Sequence, residues 1–247
     1  MNAPRFYCRE ALAPGALVEL PAPVVRHAVR VLRLGPGDPV VLFDGRGGEY
    51  PALLQRIEKE RAWAELGAWQ DVECESPLAI TLIQSLQAGD KMDFTIQKAV
   101  ELGVRAIVPV ESRRSVLKLA GERAGKRVAH WQGVAAAACE QCGRNQVPLV
   151  APLSRLDQWL ARPAPEGLRL LLAPDAAVSL HAIPRQTSIQ LLIGAEGGLD
   201  PQEIIAATQV GFQAVRLGPR VLRTETAGLA AIAALQTLWG DWGGQDV

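Results

Sequence analysis

A chain of 247 residues, 49% hydrophobic and 21% charged, has the composition of a globular protein and is long enough to bury one large core or two modest ones. Its 26 basic residues balance 26 acidic ones, which excludes a protein that coats nucleic acid over its whole surface. No apolar run nears the roughly 20 residues of a membrane span, and the opening MNAPRFYCRE lacks the apolar core of a secretory leader, so a cytoplasmic location is expected.

Four cysteines, at 8, 74, 139 and 142, make no disulfide framework. Cys139 and Cys142 have zinc-knuckle spacing but lack the second pair a zinc site needs, so two thiols on a packed helix are expected, and no metal. The charge is unevenly spread. Residues 1–37 carry five arginines against Glu10 and Glu19, and residues 112–127 carry six basic side chains against Glu122 alone. Such clusters fit either a local phosphate footprint or two solvated faces.

Residues 1–73 read as a small β-rich unit. The spacing of Val25, Val29 and Leu32, with Arg26, Arg30 and Arg33 on another side, predicts an amphipathic helix over Val24–Leu34. Gly35-Pro36-Gly37-Asp38 then turns the chain into strands at Pro39–Phe43, Glu49–Ile57 and Arg61–Leu66. Short strands joined by glycine turns suggest a small barrel, a shape often used on RNA. His27, on a helix surface beside arginines, is expected to meet solvent or backbone rather than to catalyse.

The boundary falls near Asp71–Pro77, where the rhythm changes. Strands are predicted at Leu78–Gln84, Ala106–Val110, Leu168–Ala173, Ile189–Ile193 and Gln213–Leu217. Helices are predicted at Asp90–Leu102, Gly121–Cys142, Ser154–Ala161 and Thr224–Trp239, with a proline-bearing loop over Ala161–Gly167. This alternation predicts a parallel sheet covered on both faces. The last helix is rich in alanine, which suits close packing and a dimer contact.

The richest stretch is Gln190–Ala230. An apolar strand breaks into Gly194-Ala195-Glu196-Gly197-Gly198, and Asp200-Pro201-Gln202-Glu203 then has the form of a capping box. A second strand leads into Gly218-Pro219-Arg220, followed by Val221-Leu222-Arg223-Thr224-Glu225-Thr226-Ala227. Glycines let backbone approach a ligand closely, so these two exits are expected to wall one small-molecule pocket. The first loop lacks the GxGxxG order of a dinucleotide enzyme.

These motifs, with Arg26-His27, Lys91-Met92-Asp93, Gln97–Gly103 and Glu140-Gln141-Cys142-Gly143-Arg144, make the chain resemble the ribosomal small-subunit methyltransferase E family. That family belongs to the SPOUT class and methylates N3 of one uridine in 16S rRNA. One departure is visible: Ala195 stands where the family has proline, which loosens the loop. The resemblance implies an α/β trefoil-knot methyltransferase domain over 74–247 behind a PUA-like β-barrel over 1–73. It also implies a homodimer acting on 16S rRNA or the 30S subunit with S-adenosylmethionine. The cofactor is expected at Leu172, Ile193, Gly194, Glu196, Gly197, Gly198, Leu217, Gly218, Val221, Leu222, Thr224 and Thr226. Arg144 and Arg223 are expected to stabilise charge on the uracil oxygens, Asn145 to read the base edge, and Glu196 (or Glu225) to help remove the N3 proton. Arg5, Arg9, Arg26, Arg30 and Arg33 would grip rRNA phosphates, extended by Arg113, Arg114 and Lys118. The rivals are a SPOUT enzyme with another RNA target and a non-catalytic RNA-binding assembly protein.

Overall fold

The computed structural model describes residues 3–163 and 166–243; the termini of the expected domains and the centre of the expected 161–167 loop lie outside the described residues. The chain divides into two compact units, Met1–Glu75 with Ala136–Val147, and Ser76–Ala135 with Pro148–Val247.

The first unit holds β1 (Arg5–Tyr7), β2 (Leu17–Glu19), α1 (Ala22–Val25), β3 (Pro39–Phe43), β4 (Tyr50–Glu58) and β5 (Arg61–Leu66). They form one five-stranded sheet in the order β1-β3-β4-β5-β2, with β1 parallel to β3 and the other pairs antiparallel. Alternation puts Val40 and Leu42 of β3, Tyr50, Ala52 and Leu54 of β4, and Ala62, Ala64 and Leu66 of β5 into one core with Phe6 and Val24. A bulge between Leu54 and Arg56 ends the pattern in β4. Trp63 breaks it in β5, because Arg56 and Arg61 stack on its ring at 4.0 and 4.7 Å and shield it.

Neither β1 nor β2 was legible as a strand, since three residues are too few to show a period. The expected helix over 24–34 also changes character. After α1 the chain widens into a π-helical stretch, Arg26–Val31. The wider turn keeps Val25 and Ala28 in the core with Val29 packed against it but leaves Leu32 41% exposed, so the face read from a 3.6-residue period is buried only in part. Arg33 then ends the stretch in the left-handed region, at φ 57°.

Segment 136–147 joins this unit through the turn after β3. Gly47 N–H donates to Asn145 O at 3.3 Å, Val147 N–H to Gly45 O at 3.2 Å, and Tyr7 N–H to the Glu140 carboxylate at 2.8 Å.

The second unit runs β6 (Ala79–Ser85), α2 (Lys91–Glu101), β7 (Ala106–Glu111), α3 (Gly121–Cys142, its last turns counted with the first unit), β8 (Leu149–Val150), β9 (Ser154–Arg155), α4 (Leu156–Leu160), β10 (Leu168–Leu172), β11 (Val178–Ser179), β12 (Ser188–Ile193), α5 (Pro201–Gln209), β13 (Gln213–Arg216) and α6 (Thr224–Trp239). The sheet order is β11-β13-β10-β12-β6-β7-β8, with β9 also on β7, and every pairing is parallel. The helix expected from Ser154 starts at Leu156, because Ser154 and Arg155 pair with Val110 and Glu111 first.

Register explains the two-sided cover. Leu171, Leu192, Ile83 and Val108 make one row across four strands and pack with Leu156, Leu160, Ala207 and Phe212 of the α4–α5 side. Leu170, Leu191, Leu82 and Ile107 make the adjacent row, pointing to the other face. There α6 lies close: a Cβ on Gly228 would stand 3.4 Å from Ile193 and 3.6 Å from Leu82. No helix among the described residues is long and apolar enough to cross a membrane.

Candidate functional site

The carboxyl ends of β10, β12 and β13 are neighbours, since Leu171 pairs with Leu192 and Leu172 with Val215. In parallel sheets this edge is where ligands gather. Beyond it the chain makes two glycine turns. In the first, Gly198 N–H donates to Ala195 O at 2.8 Å, and a Cβ on Gly194 would lie 2.9 Å from the backbone of both Gly198 and Leu199. Only glycine fits there. The loop then ends on the expected capping box: Asp200 accepts from Gln202 N–H at 3.0 Å, and Glu203 accepts from Asp200 N–H at 2.9 Å.

The second turn is joined to the first by one side chain. Thr224, at the start of α6, donates its hydroxyl to Gly194 O at 2.5 Å and accepts from the buried Gln84 amide at 3.1 Å. Between the turns lies a cavity of about 420 Å³. Leu172, Ile193, Gly194, Glu196, Gly198, Leu217, Gly218, Val221, Leu222 and Thr224 line it, with Arg223 and Glu225. Thus the structure brings together ten of the twelve residues expected around a cofactor.

The other two lie elsewhere. Gly197 makes room for Arg114, whose side chain would be 3.4 Å from a Cβ there, and Thr226 is exposed on the first turn of α6. Sequence reasoning also gave no role to Lys91, which lines the cavity and pairs with Glu196 at 3.5 Å and Glu225 at 3.6 Å. Its place in a helix-start motif was the only available signal.

Partial burial resists ionisation of Glu196. Its own N–H, the Ala88 N–H at 3.2 Å and the Lys91 ammonium outweigh that and hold the carboxyl below its ordinary value. Such a carboxylate anchors the loop; it is a weak base near neutral pH. Arg223 stands exposed on the cavity wall; its carbonyl accepts from the Thr226 and Ala227 N–H groups at 2.9 and 2.8 Å.

Arg144 and Asn145 belong to the first unit, and both are committed there. Arg144 is 4% exposed and donates to Glu75 at 3.0 Å from Nε and 2.5 Å from an Nη. Burial opposes its charge, but the Glu75 carboxylate overcomes this and raises its already high pKa. Asn145 is fully buried; it donates to Val72 O at 2.6 Å and accepts from Arg5 at 2.5 Å. Both ends of the Asn145 amide thus have partners within the first unit.

Arg5 is likewise turned inward, paired with Glu49 and set 5.1 Å over the Phe43 ring, so it is not a free phosphate ligand. Arg9, Arg26, Arg30 and Arg33 are exposed. His27 is exposed too, its ring edge-on to Phe6 at 5.8 Å. Arg113 donates to Gln202 at 2.5 Å and pairs with Asp200 at 3.4 Å, Arg114 donates to Gly197 O at 2.9 Å, and Lys118 pairs with Glu111 at 3.0 Å. Arg113 and Arg114 therefore brace the glycine loop and its cap. Cys139 is buried and its thiol is pushed up to about 12, chiefly by burial. No cluster able to hold a metal ion occurs among the described residues.

A parallel α/β sheet that gathers two glycine turns around one cavity, preceded along the chain by a small β unit, defines a SPOUT-type RNA methyltransferase. The sequence model of the RNA methyltransferase domain matches residues 74–236, and that of the RNA methyltransferase PUA domain matches residues 20–67. The chain is 33% identical to ribosomal RNA small subunit methyltransferase E of Buchnera aphidicola subsp. Schizaphis graminum, over 96% of this chain and 97% of that one. It is 50% identical to a crystal structure of the Neisseria gonorrhoeae ribosomal RNA small subunit methyltransferase E bound to S-adenosyl methionine, covering 98% of this chain and 100% of that one with a TM-score of 0.93. A Legionella pneumophila structure in complex with bound SAM is 37% identical, over 98% of this chain and 100% of that one, with a TM-score of 0.94. The chain belongs to the ribosomal RNA small subunit methyltransferase E family.

Proposed function

We propose that this chain methylates N3 of a uridine in the 16S rRNA of the small ribosomal subunit, using S-adenosylmethionine. The observation that carries this reading is the 420 Å³ cavity between two glycine turns, in a chain half identical to a relative crystallised with that cofactor. The residues fit it. Gly194 lets the first turn close tightly on Gly198 and Leu199, and Leu172, Ile193, Leu217 and Leu222 supply apolar walls for an adenine. Bound there, the donor supplies a methyl group already activated on a sulfonium.

What remains for the chain is to position and to stabilise. N3 of uridine lies on the pairing edge, so the base must be unpaired or flipped. As its imide proton leaves to solvent, negative charge develops on the uracil oxygens, and Arg223, exposed on the cavity wall as Arg220 is, meets it. Glu196 holds the first turn in shape. Arg144 and Asn145 act as positioning residues within the first unit.

The first unit, expected over 1–73, serves as the RNA-gripping PUA-like domain, with Arg9, Arg26, Arg30 and Arg33 on phosphates. The methyltransferase domain, expected over 74–247, carries a trefoil knot. The protein is a cytoplasmic homodimer, using the alanine-rich face of α6, of which Ala227, Ala230, Ala233 and Ala234 stay partly exposed.

The test is methylation of 30S particles and of free 16S rRNA with the purified chain, followed by nucleoside mass analysis and mapping. The expected product is a single N3-methyluridine. A ribose-methylated nucleoside, or cofactor binding with no transfer to either RNA, refutes the target.

A further inference from the structure

Three carboxylates and three cations line the cavity, but they are unevenly sheltered from water. One ammonium, on Lys91, faces two carboxylates, those of Glu196 and Glu225. Glu196 has the Ala88 amide as well. Glu225 is less well served. Its side chain is only 18% exposed, one oxygen stands 3.6 Å from Lys91, and the other, Oε2, is buried without a hydrogen-bond partner among the described residues. The remaining charged groups on the wall, Asp175, Arg220 and Arg223, are exposed, where water screens them. A buried carboxylate with one idle oxygen is unfavourable by itself, and the first helical turn, where Glu225 sits, offsets this only in part. A cation entering the cavity would offset the rest.

We propose that Glu225 is the counter-charge for the sulfonium of the methyl donor, and so the residue by which this chain separates donor from spent product. The proposal rests on the reading of the cavity given above. Donor and product differ in one group. When the methyl leaves, the C–S bonding pair stays on sulfur and the sulfonium becomes a neutral thioether; the adenosine and amino-acid parts are unchanged. Contacts to those parts cannot tell the two apart, whereas a carboxylate on the cavity wall can. After transfer Glu225 is again uncompensated, which favours exchange of product for fresh donor. Lys91, shared with Glu196, offsets part of the Glu225 charge.

The test is calorimetric binding of S-adenosylmethionine and of S-adenosylhomocysteine, each alone, to the wild type and to Glu225→Gln, Glu225→Asp and Lys91→Gln. In Glu225→Gln the donor-to-product affinity ratio is expected to fall roughly tenfold, the size one partly screened charge pair gives, while product affinity changes less than threefold. Glu225→Asp should recover part of the ratio, and Lys91→Gln should raise it, a readout that does not depend on the first variant folding. A ratio unchanged in Glu225→Gln, including the case where both affinities drop together, overturns the proposal and leaves Glu225 a helix-start residue. A fall, or no change, in Lys91→Gln overturns it too. Wild type that binds neither ligand instead overturns the cavity reading beneath it.

Discussion

Substituting alanine for each glycine of the first turn separates three physical causes within five residues. At Gly194 the added Cβ meets backbone, 2.9 Å from Gly198 C and 2.9 Å from Leu199 N, and backbone cannot rotate away as a side chain can. Relief requires the turn to open by several tenths of an ångström, which costs about 1–3 kcal/mol as overpacking does in a core. The same shift moves Gly194 O off the Thr224 hydroxyl, now 2.5 Å away, and so parts the two walls of the cavity. Gly194→Ala is therefore expected to weaken S-adenosylmethionine binding by tenfold or more. At Gly198 there is space, but φ is +71°, so alanine pays only the left-handed penalty of about 1–2 kcal/mol, felt mainly as stability. At Gly197 the nearest atom is Arg114 Cβ at 3.4 Å, an ordinary contact, and alanine should be nearly silent. Calorimetry for affinity and urea unfolding for stability would be run on all three variants. Cofactor affinity within twofold of wild type for Gly194→Ala, or Gly197→Ala proving the most damaging, would refute the steric reasoning.

Three further outcomes are expected. Glu75→Gln leaves the Arg144 guanidinium, 4% exposed, without its carboxylate and should destabilise the chain by about 3–5 kcal/mol in denaturant unfolding, whereas Arg9→Gln, at an exposed site, should stay within about 0.5 kcal/mol. The Glu196 carboxyl is held below its ordinary value in the folded chain, so its contribution to stability is complete above the unfolded value, about pH 4.3, and is lost as pH falls through the lower folded value. Unfolding followed from pH 6 to 3 should show that loss in wild type but not in Glu196→Gln; identical acid limbs would remove the anchor role. Reversing Arg26 and Arg30 to glutamate should weaken rRNA binding and lower the slope of affinity against salt while sparing S-adenosylmethionine affinity, and an unchanged slope in filter binding would take these residues out of the footprint.

Much of the second unit is legible along the chain because its signals are local. The strand-to-glycine exits at Ile193 and Leu217, the Asp200–Glu203 capping box and the helix stopped at Gly103 all depend on neighbours within a few residues. So does the βα rhythm that predicts an all-parallel sheet. The candidate cavity follows from the same segments, and ten of its lining residues are nameable from motif alone. The arginines are not legible in this way. Arg5 and Arg9 are four residues apart and equally charged, yet one is stacked on Phe43 and paired with Glu49 while the other is exposed. Nothing in the local sequence distinguishes them, because the partner lies 44 residues on.

Sequence alone determined the longer strands and the glycine turns, since backbone preference and hydrophobic period act over one or two turns of chain. Tertiary structure alone decided the sheet order, the joining of 136–147 to the first unit, the π-helical widening at Arg26–Val31, and the placing of Lys91 between two carboxylates 105 and 134 positions away. Those outcomes turn on which surfaces meet once the chain has closed. A charge or an amide keeps no record, in the residues beside it, of the partner it finds across the fold.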